Sequence, residues 1–237
     1  MEVKCLIIGG GNMGRCLEKL LKNNCSDVVV TTRNTAYLNT GYADYIFLTV
    51  KPKDIDDILD VGLNGEVIIS FLAGRSVDVI EKKYDEKVIR CMSNINMQPL
   101  ICYKNKNINN DDIKKFEKLL EGSEIIWIDD EKDMDTFTCL IGSGPAFLSM
   151  IYKYFVDTGV EMGLDKKLSK KCIISMLIGM GKMFEEEKDE EILGKIVERV
   201  ASKGGVTEEG LKEMDKGLIE KEIKNILMKA KDVCSKN

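Results

Sequence analysis

The chain has 237 residues, 44% hydrophobic and 32% charged, a globular composition that excludes disorder and fibrous repeats. Lys and Arg number 35 against 40 Asp and Glu; the net charge of −5, with no basic block, argues against nucleic acid as a partner. Histidine is absent, which excludes His-liganded metals, Ser-His-Asp triads and any reaction that needs an imidazole base.

The first apolar run, residues 3–8, reads as a strand. It leads directly into Gly9-Gly10-Gly11-Asn12-Met13-Gly14 and then into an amphipathic helix, 13–23, carrying Leu17, Leu20 and Leu21. Glycines at this spacing allow a tight turn, close backbone approach to a pyrophosphate and tight helix–strand packing. Free N–H groups at the helix start favour the phosphates. A dinucleotide cofactor touching Gly9, Gly11, Asn12 and Met13 is expected.

The second strand, 28–32, ends in Thr31-Thr32-Arg33-Asn34. A site for NAD would place a carboxylate there to accept the ribose hydroxyls. Thr32, Arg33 and Asn34 suit a 2′-phosphate instead; one charge-assisted bond of about 1.5–3 kcal/mol gives a roughly ten- to hundredfold preference. The expectation is NADP(H), with NAD(H) as the alternative, and a solvated loop arginine as the bland reading.

Further strands are expected at 45–50, 66–71, 87–91, 100–103 and 124–129, with helices at 54–60, 76–84 and 111–121. This alternation predicts a parallel, doubly wound, Rossmann-like sheet. The early strands are apolar throughout, as strands covered on both faces should be. Val50, Lys51 and Pro52 end the third strand, and Ala73 follows the fourth, where strand ends line a cofactor crevice. Ordinary turn chemistry explains both equally well.

From residue 131 the pattern is helical. The acidic run 129–135 reads as a helix cap. Helix 145–163 shows one polar stripe (Ser149, Lys153, Asp157, Glu161) and is about 28 Å long, so most of its girth needs cover. Helix 169–187 carries glycines that suggest close helix contact. A dinucleotide-binding domain at 1–130 and an all-α domain at 131–237 that intertwines with its copy are therefore expected. The apolar stretch 172–184 contains Lys182 and is too short to span a bilayer. The eight cysteines include no pair three apart, so neither a metal knuckle nor a redox motif is expected; Cys5 and Cys172 read as small buried hydrophobes. A soluble cytoplasmic protein with no membrane partner is the expectation.

Two late motifs remain, Gly142-Ser143-Gly144-Pro145-Ala146 and Ala201-Ser202-Lys203-Gly204-Gly205-Val206-Thr207. The second is a glycine turn entering a helix; an N-cap alone explains it, and so does a seat for a small carboxylate.

With Gly-Gly-Gly-Asn-Met-Gly, Val-Lys-Pro, Val-Ile-Arg-Cys-Met-Ser-Asn, Asp-Glu-Lys-Asp-Met-Asp and Asp-Thr-Gly-Val-Glu-Met-Gly-Leu, these motifs resemble the pyrroline-5-carboxylate reductase family over essentially the whole chain. The resemblance implies hydride transfer from NAD(P)H to the imine carbon of a cyclic imine, 1-pyrroline-5-carboxylate, giving proline. It also implies a homodimer through the C-terminal helices, often assembled into rings. Carried over, Thr207 is the catalytic residue and bonds the substrate nitrogen. Ser202, Gly205 and Val206 hold the carboxylate, Glu131 lies near the same pocket, and the nicotinamide lies near Ala73 and Asn94. The pocket is completed across the dimer.

The chain departs from the family in places. Residues 33–44 are shorter than the family's segment and near the lower limit for a parallel crossover, which predicts loss of one edge strand and weaker NADP binding. Asn94-Ile95-Asn96 and Ser202-Lys203-Gly204-Gly205 replace Asn-Thr-Pro and Ser-Pro-Gly-Gly, and Arg199 replaces an amide. Three alternatives stay open: a reductase of another cyclic imine carboxylate, a β-hydroxyacid dehydrogenase (for which Lys153 comes too late in the chain) and a catalytically impaired NADP-binding regulatory dimer.

Overall fold

The computed structural model describes residues 3–32, 41–186, 192–214 and 217–235. It divides into two compact units, Met1–Pro145 with Leu227–Asn237, and Ala146–Ile226.

The first unit is built on a seven-stranded sheet in the order β2-β1-β3-β4-β5-β6-β7. The strands are β1 (Lys4–Ile8), β2 (Asp27–Thr31), β3 (Ala43–Leu48), β4 (Gly65–Ser70), β5 (Lys87–Met92), β6 (Leu100–Lys104) and β7 (Ile125–Trp127). Strands β1 to β5 are mutually parallel. Strand β2 is an edge among the described residues, and most of the 33–44 segment, on which the expected loss of an edge strand rests, lies outside them.

The all-parallel expectation is corrected at β6, which runs antiparallel to β5, with Cys91 opposite Cys102. Only residues 93–99 join the two strands, too few for a parallel crossover and enough for a hairpin. The turn contains Met97 at φ 57° and a cis Gln98–Pro99 bond. Ser93 Oγ closes it by donating to the Pro99 carbonyl at 2.7 Å.

Helices cover both faces of the sheet. Alternate residues of β1, β3 and β4 (Cys5, Ile7, Tyr45, Phe47, Val67, Ile69) pack against α1 (Asn12–Asn24) and α4 (Asn110–Leu119) through Leu17, Leu21, Phe116 and Leu119. The intervening residues (Leu6, Ile8, Ile46, Leu48, Ile68) pack against α2 (Ile55–Val61) and α3 (Asp78–Glu81) through Ile55, Ile58, Leu59 and Ile80. This is why the strands read as apolar runs: each side chain enters one core or the other, at about 1.5–3 kcal/mol for each large residue buried.

The two long helices of this layer start differently. At α4, the Asn109 side chain accepts from the Asp111 and Asp112 amides, and Asp112 returns a bond to the Asn109 amide at 3.0 Å. Asn109→Ala is expected to cost about 1 kcal/mol in urea unfolding. At α1, Gly11 is the N-cap, no side chain caps it, and no acidic residue lies in the first turn. Its leading amides are left for a ligand.

The chain leaves the sheet through a 3-10 turn at Glu131–Asp133, where Asp130 caps Lys132 N at 2.9 Å. Then come α5 (Met134–Phe137) and a π-helical turn at Thr138–Gly142. The end of the chain returns to this unit. In α10 (Leu218–Cys234), Lys231 Nζ donates to Thr136 Oγ1 at 2.9 Å, and Cys234 is buried.

The second unit is helical. α6 (Gly144–Glu161) and α7 (Lys166–Glu186) are followed by α8 (Ile192–Val200), α9 (Val206–Met214) and the start of α10. The α6–α7 hairpin turns at Gly163, φ 101°, and Asp165 caps the amides of Lys167 and Leu168. A Cβ on Gly159 would stand 2.6 Å from Ser169 Oγ, which itself donates to the Val156 carbonyl at 3.0 Å. Close helix contact is therefore made at Gly159. At Gly179 and Gly181 of α7, a Cβ meets nothing within 4 Å in the single chain.

Among the described residues, α6 buries only Val156 and α7 only Ser169. Leu148, Tyr154, Phe155 and Ile178 are each more than half exposed. Cys172 is corrected from buried to exposed, because the apolar girth of α7 has no cover within one chain. The helical stretch Glu131–Glu161, 31 residues, is long and apolar enough by length and composition to cross a membrane.

Candidate active site

The glycine turn is held by close backbone contacts. Gly9 has φ 122°, and a Cβ there would meet the Thr49 backbone at 2.8 Å. A Cβ on Gly14 would lie 1.9 Å from the Gly9 carbonyl oxygen, so the helix can approach the strand only with glycine at that position. Thr49, just past β3, pins the turn: its Oγ1 donates to the Gly9 carbonyl at 2.8 Å and lies 3.2 Å from that of Ile8. Arg15 adds a cation, its Nε 3.3 Å from the Gly10 carbonyl.

Around Gly11 the opposite holds: a Cβ would meet no atom within 4 Å. Open space at the uncapped end of α1, beside the leading amides around Asn12 and Met13, is what a dinucleotide pyrophosphate requires. The residues present fit that group. Neither Thr49 nor Arg15 is part of the glycine pattern. The signal that could have found Thr49 was a hydroxyl near the carboxyl end of the otherwise apolar run 45–50.

The other expected cofactor residues sit at strand ends of this unit. Thr32 follows β2, while Arg33 and Asn34 lie outside the described residues. Val50 packs on the α2-side core, and exposed Lys51 precedes the turn Pro52–Asp54, its carbonyl accepting from Asp54 N at 2.9 Å. Ala73 is half-buried and packs with Met92, Ile101 and Met134 before Gly74, φ 69°. Asn94 is buried with both ends of its amide engaged, Nδ2 donating to the Gln98 carbonyl at 2.6 Å and Oδ1 accepting from Asn96 N at 2.8 Å. Its side chain holds the 94–98 turn.

Glu131 is anchored in the same unit. Its Oε1 accepts from Val77 N at 2.8 Å and from Arg90 Nη1 at 3.0 Å. Arg90, on β5, also donates to Asp135 Oδ1 at 3.1 Å and is buried. This cluster ties β5, the entry to α3 and the acidic 131–135 segment together. The sequence shows Arg90 only as a lone charge inside an apolar strand. Arg75, next to Gly74, has a buried Nε with no partner among the described residues.

In the second unit, Gly204 has φ 72° and Gly205 leads into α9. A Cβ on Gly205 would stand 2.9 Å from the Ser202 carbonyl oxygen as well as against Ser202 Oγ, so the turn backbone leaves that position tight for any larger residue. The Gly205 amide, expected to hold a carboxylate, donates to the Ser202 carbonyl at 2.9 Å. Glu208 Oε2 takes the Gly204 amide at 2.6 Å. The amides of Val206 and Thr207 stand in the first helical turn, where no intrahelical acceptor exists. Val206 is 93% exposed, and Ser202 and Thr207 are exposed as well. Arg199 and Lys203 point into solvent. Lys153 pairs with Asp157 one turn along α6, which leaves it a helix-surface lysine.

Residues 131–236 match the family model described as pyrroline-5-carboxylate reductase dimerisation. The pyrroline-5-carboxylate reductase of Aquifex aeolicus is 29% identical, covering 95% of each chain. The chain is thus similar to pyrroline-5-carboxylate reductases over nearly its whole length, and its residues 131–236 match their dimerisation model. Solved structures agree in fold. The Plasmodium falciparum pyrroline carboxylate reductase, determined with NADP bound, superimposes with a TM-score of 0.84 at 23% identity over 99% of this chain and 98% of that one. The Streptococcus pyogenes 1-pyrroline-5-carboxylate reductase gives 0.88 at 20% identity, with the same coverage. The long apolar stretch 131–161 falls inside the dimerisation match, and homodimer formation accounts for the uncovered faces of α6 and α7.

Proposed function

We propose that this chain is a member of the pyrroline-5-carboxylate reductase family and reduces 1-pyrroline-5-carboxylate to proline with NADPH, as a homodimer in the cytoplasm, without membrane or nucleic-acid partners. The reading is carried by the open, uncapped turn at Gly11 in a chain whose relatives bear that activity by name. NADPH would supply the hydride. The chain's part is to bind and orient. The leading amides of α1 hold the pyrophosphate, Arg15 adds positive charge, and Thr49 fixes the turn. Thr32, Arg33 and Asn34 take the adenosine 2′-phosphate; Val50, Lys51 and Pro52 line the cofactor; and Ala73 and Asn94 flank the nicotinamide.

The cyclic imine presents its carboxylate to the amides of Val206 and Thr207 and to Ser202 Oγ. Gly205 contributes by staying small, since its own amide closes the turn. Thr207 Oγ1 bonds the ring nitrogen. A protonated imine is already electrophilic, so alignment and charge placement supply most of the rate, and a histidine-free chain suffices. Further assembly of dimers into rings belongs to the same proposal.

Oxidation of NADPH on addition of pyrroline-5-carboxylate tests the reading; no turnover with that substrate, together with none for proline and NADP at alkaline pH, overturns it. Thr207→Ala is expected to lower kcat/KM about ten- to hundredfold, the worth of one bond to a charged group. Thr207 is exposed, so the urea midpoint should hardly move. Equal losses in both would assign Thr207 to the helix start alone.

A further inference from the structure

The amino-terminal edge of the sheet holds a cavity of about 500 Å³, bounded by the first residues of β1, β3 and β4 and by α4. Tyr45 lies in its wall. The residue is 7% exposed, with its ring packed in the same core as Cys5 and Val67, and its hydroxyl has no hydrogen-bond partner among the described residues. Burial, with the charge of Glu66 and then of Asp112, pushes the phenol up to about 12, so it stays a protonated donor.

Across the cavity stand Lys114, Lys115 and Lys118 of α4. Their spacing places all three on one helix face. No carboxylate among the described residues lies within ion-pair distance of any of them, although Lys115 sits in the field of Asp112. The two acids of the wall already have partners. Asp44 accepts from the Lys4 amide at 2.7 Å, and Glu66 from Lys87 Nζ at 3.0 Å. Asp112 is likewise held by Lys87, at 2.8 Å. Three lysines and one buried tyrosine therefore line the same cavity as donors, beside apolar cover from Val3 and Leu119.

We propose that this cavity is a second ligand site, which takes a small oxyanion (a phosphate or carboxylate compound): Tyr45 Oη donates to one oxygen while Lys114, Lys115 and Lys118 balance the charge. A lysine face alone would gather anions without geometry. The phenol, fixed by its packed ring, gives the site a direction. Along β3 it is four residues, about 13 Å, from Thr49 at the glycine-turn end, so the two sites do not overlap.

The chain carries its own reporter. Trp127, its single tryptophan, packs against Phe116 of α4 in a tilted pair with ring centroids 5.7 Å apart, and its Nε1 donates to Glu117 at 2.8 Å. The full-length protein, saturated with NADP to fill the glycine turn, is titrated with inorganic pyrophosphate and, separately, with citrate. A saturable change in Trp127 fluorescence is expected with at least one of them, and which one responds names the source. Tyr45→Phe should weaken that binding tenfold or more, and Lys114→Ala with Lys118→Ala should abolish saturation. The urea midpoint of Tyr45→Phe should match the parent, since the lost hydroxyl bonds nothing. Failure of both probes to saturate, or binding unaltered by Tyr45→Phe, overturns the proposal. Anion binding at the glycine turn would not respond to Tyr45, so loss of the reductase reading leaves this test intact.

Discussion

Gly14→Ala should abolish measurable NADPH binding and unfold at lower urea, whereas Gly11→Ala should lose binding while remaining nearly as stable as the parent. The contrast follows from two distances. At Gly14 a methyl would stand 1.9 Å from the Gly9 carbonyl, a backbone atom that can move only if the helix retreats from the strand. Such overpacking costs about 1–3 kcal/mol and displaces the turn itself. At Gly11 the added methyl touches no protein atom within 4 Å, so folding loses less than about 1 kcal/mol through the poorer N-cap. What that methyl does occupy is the space assigned to the phosphates. NADPH fluorescence titration and urea unfolding, run on both variants, separate the two effects. Gly11→Ala protein that still binds NADPH as well as the parent would remove the pyrophosphate from that turn.

Arg90→Leu is expected to be among the most destabilising single changes in the first unit, with a loss of about 3 kcal/mol. Breaking a buried ion pair by removing one partner costs about 3–5 kcal/mol, and the low end applies because Glu131 and Asp135 keep 16% and 28% of their side-chain exposure. Adding Glu131→Gln and Asp135→Asn should recover part of the loss, since no carboxylate is then left without its cation. Glu131→Gln also bears on the reaction. If Glu131 only holds Val77 and Arg90, kcat/KM should fall no further than stability does. A larger fall places its carboxylate at the substrate.

Most of the sheet could be read from the chain because strands β1 to β5 each serve two cores. Leu6 and Ile8 face one side, Cys5 and Ile7 the other, so the run is apolar without alternation and announces a doubly covered strand. Strand β6 misled because its direction depends on the length of the link, residues 93–99, and not on its own composition. The glycine turn was legible because its conformation admits few residue types. Its supports were not: Thr49 and Arg15 act through single hydrogen bonds that leave no periodic trace. Arg90 is the same case in a strand. A charge there signals that a partner exists, and only the fold shows that the partners are Glu131 and Asp135. The turn at Gly204 and Gly205 was visible as a helix entry, but the engagement of the Gly205 amide by Ser202 was not.

The return of residues 227–237 to the first unit has a consequence for synthesis on the ribosome. That unit's sheet is translated early, yet Cys234 and Lys231, which complete its packing, emerge only after residues 146–226 have been made. At about 5–20 residues per second, those 81 residues impose a wait of roughly 4–16 s. Throughout that interval the nascent sheet must persist without its final turn, so ribosome stalling near the 3′ end of the message would leave an exposed seam open to chaperones and proteases.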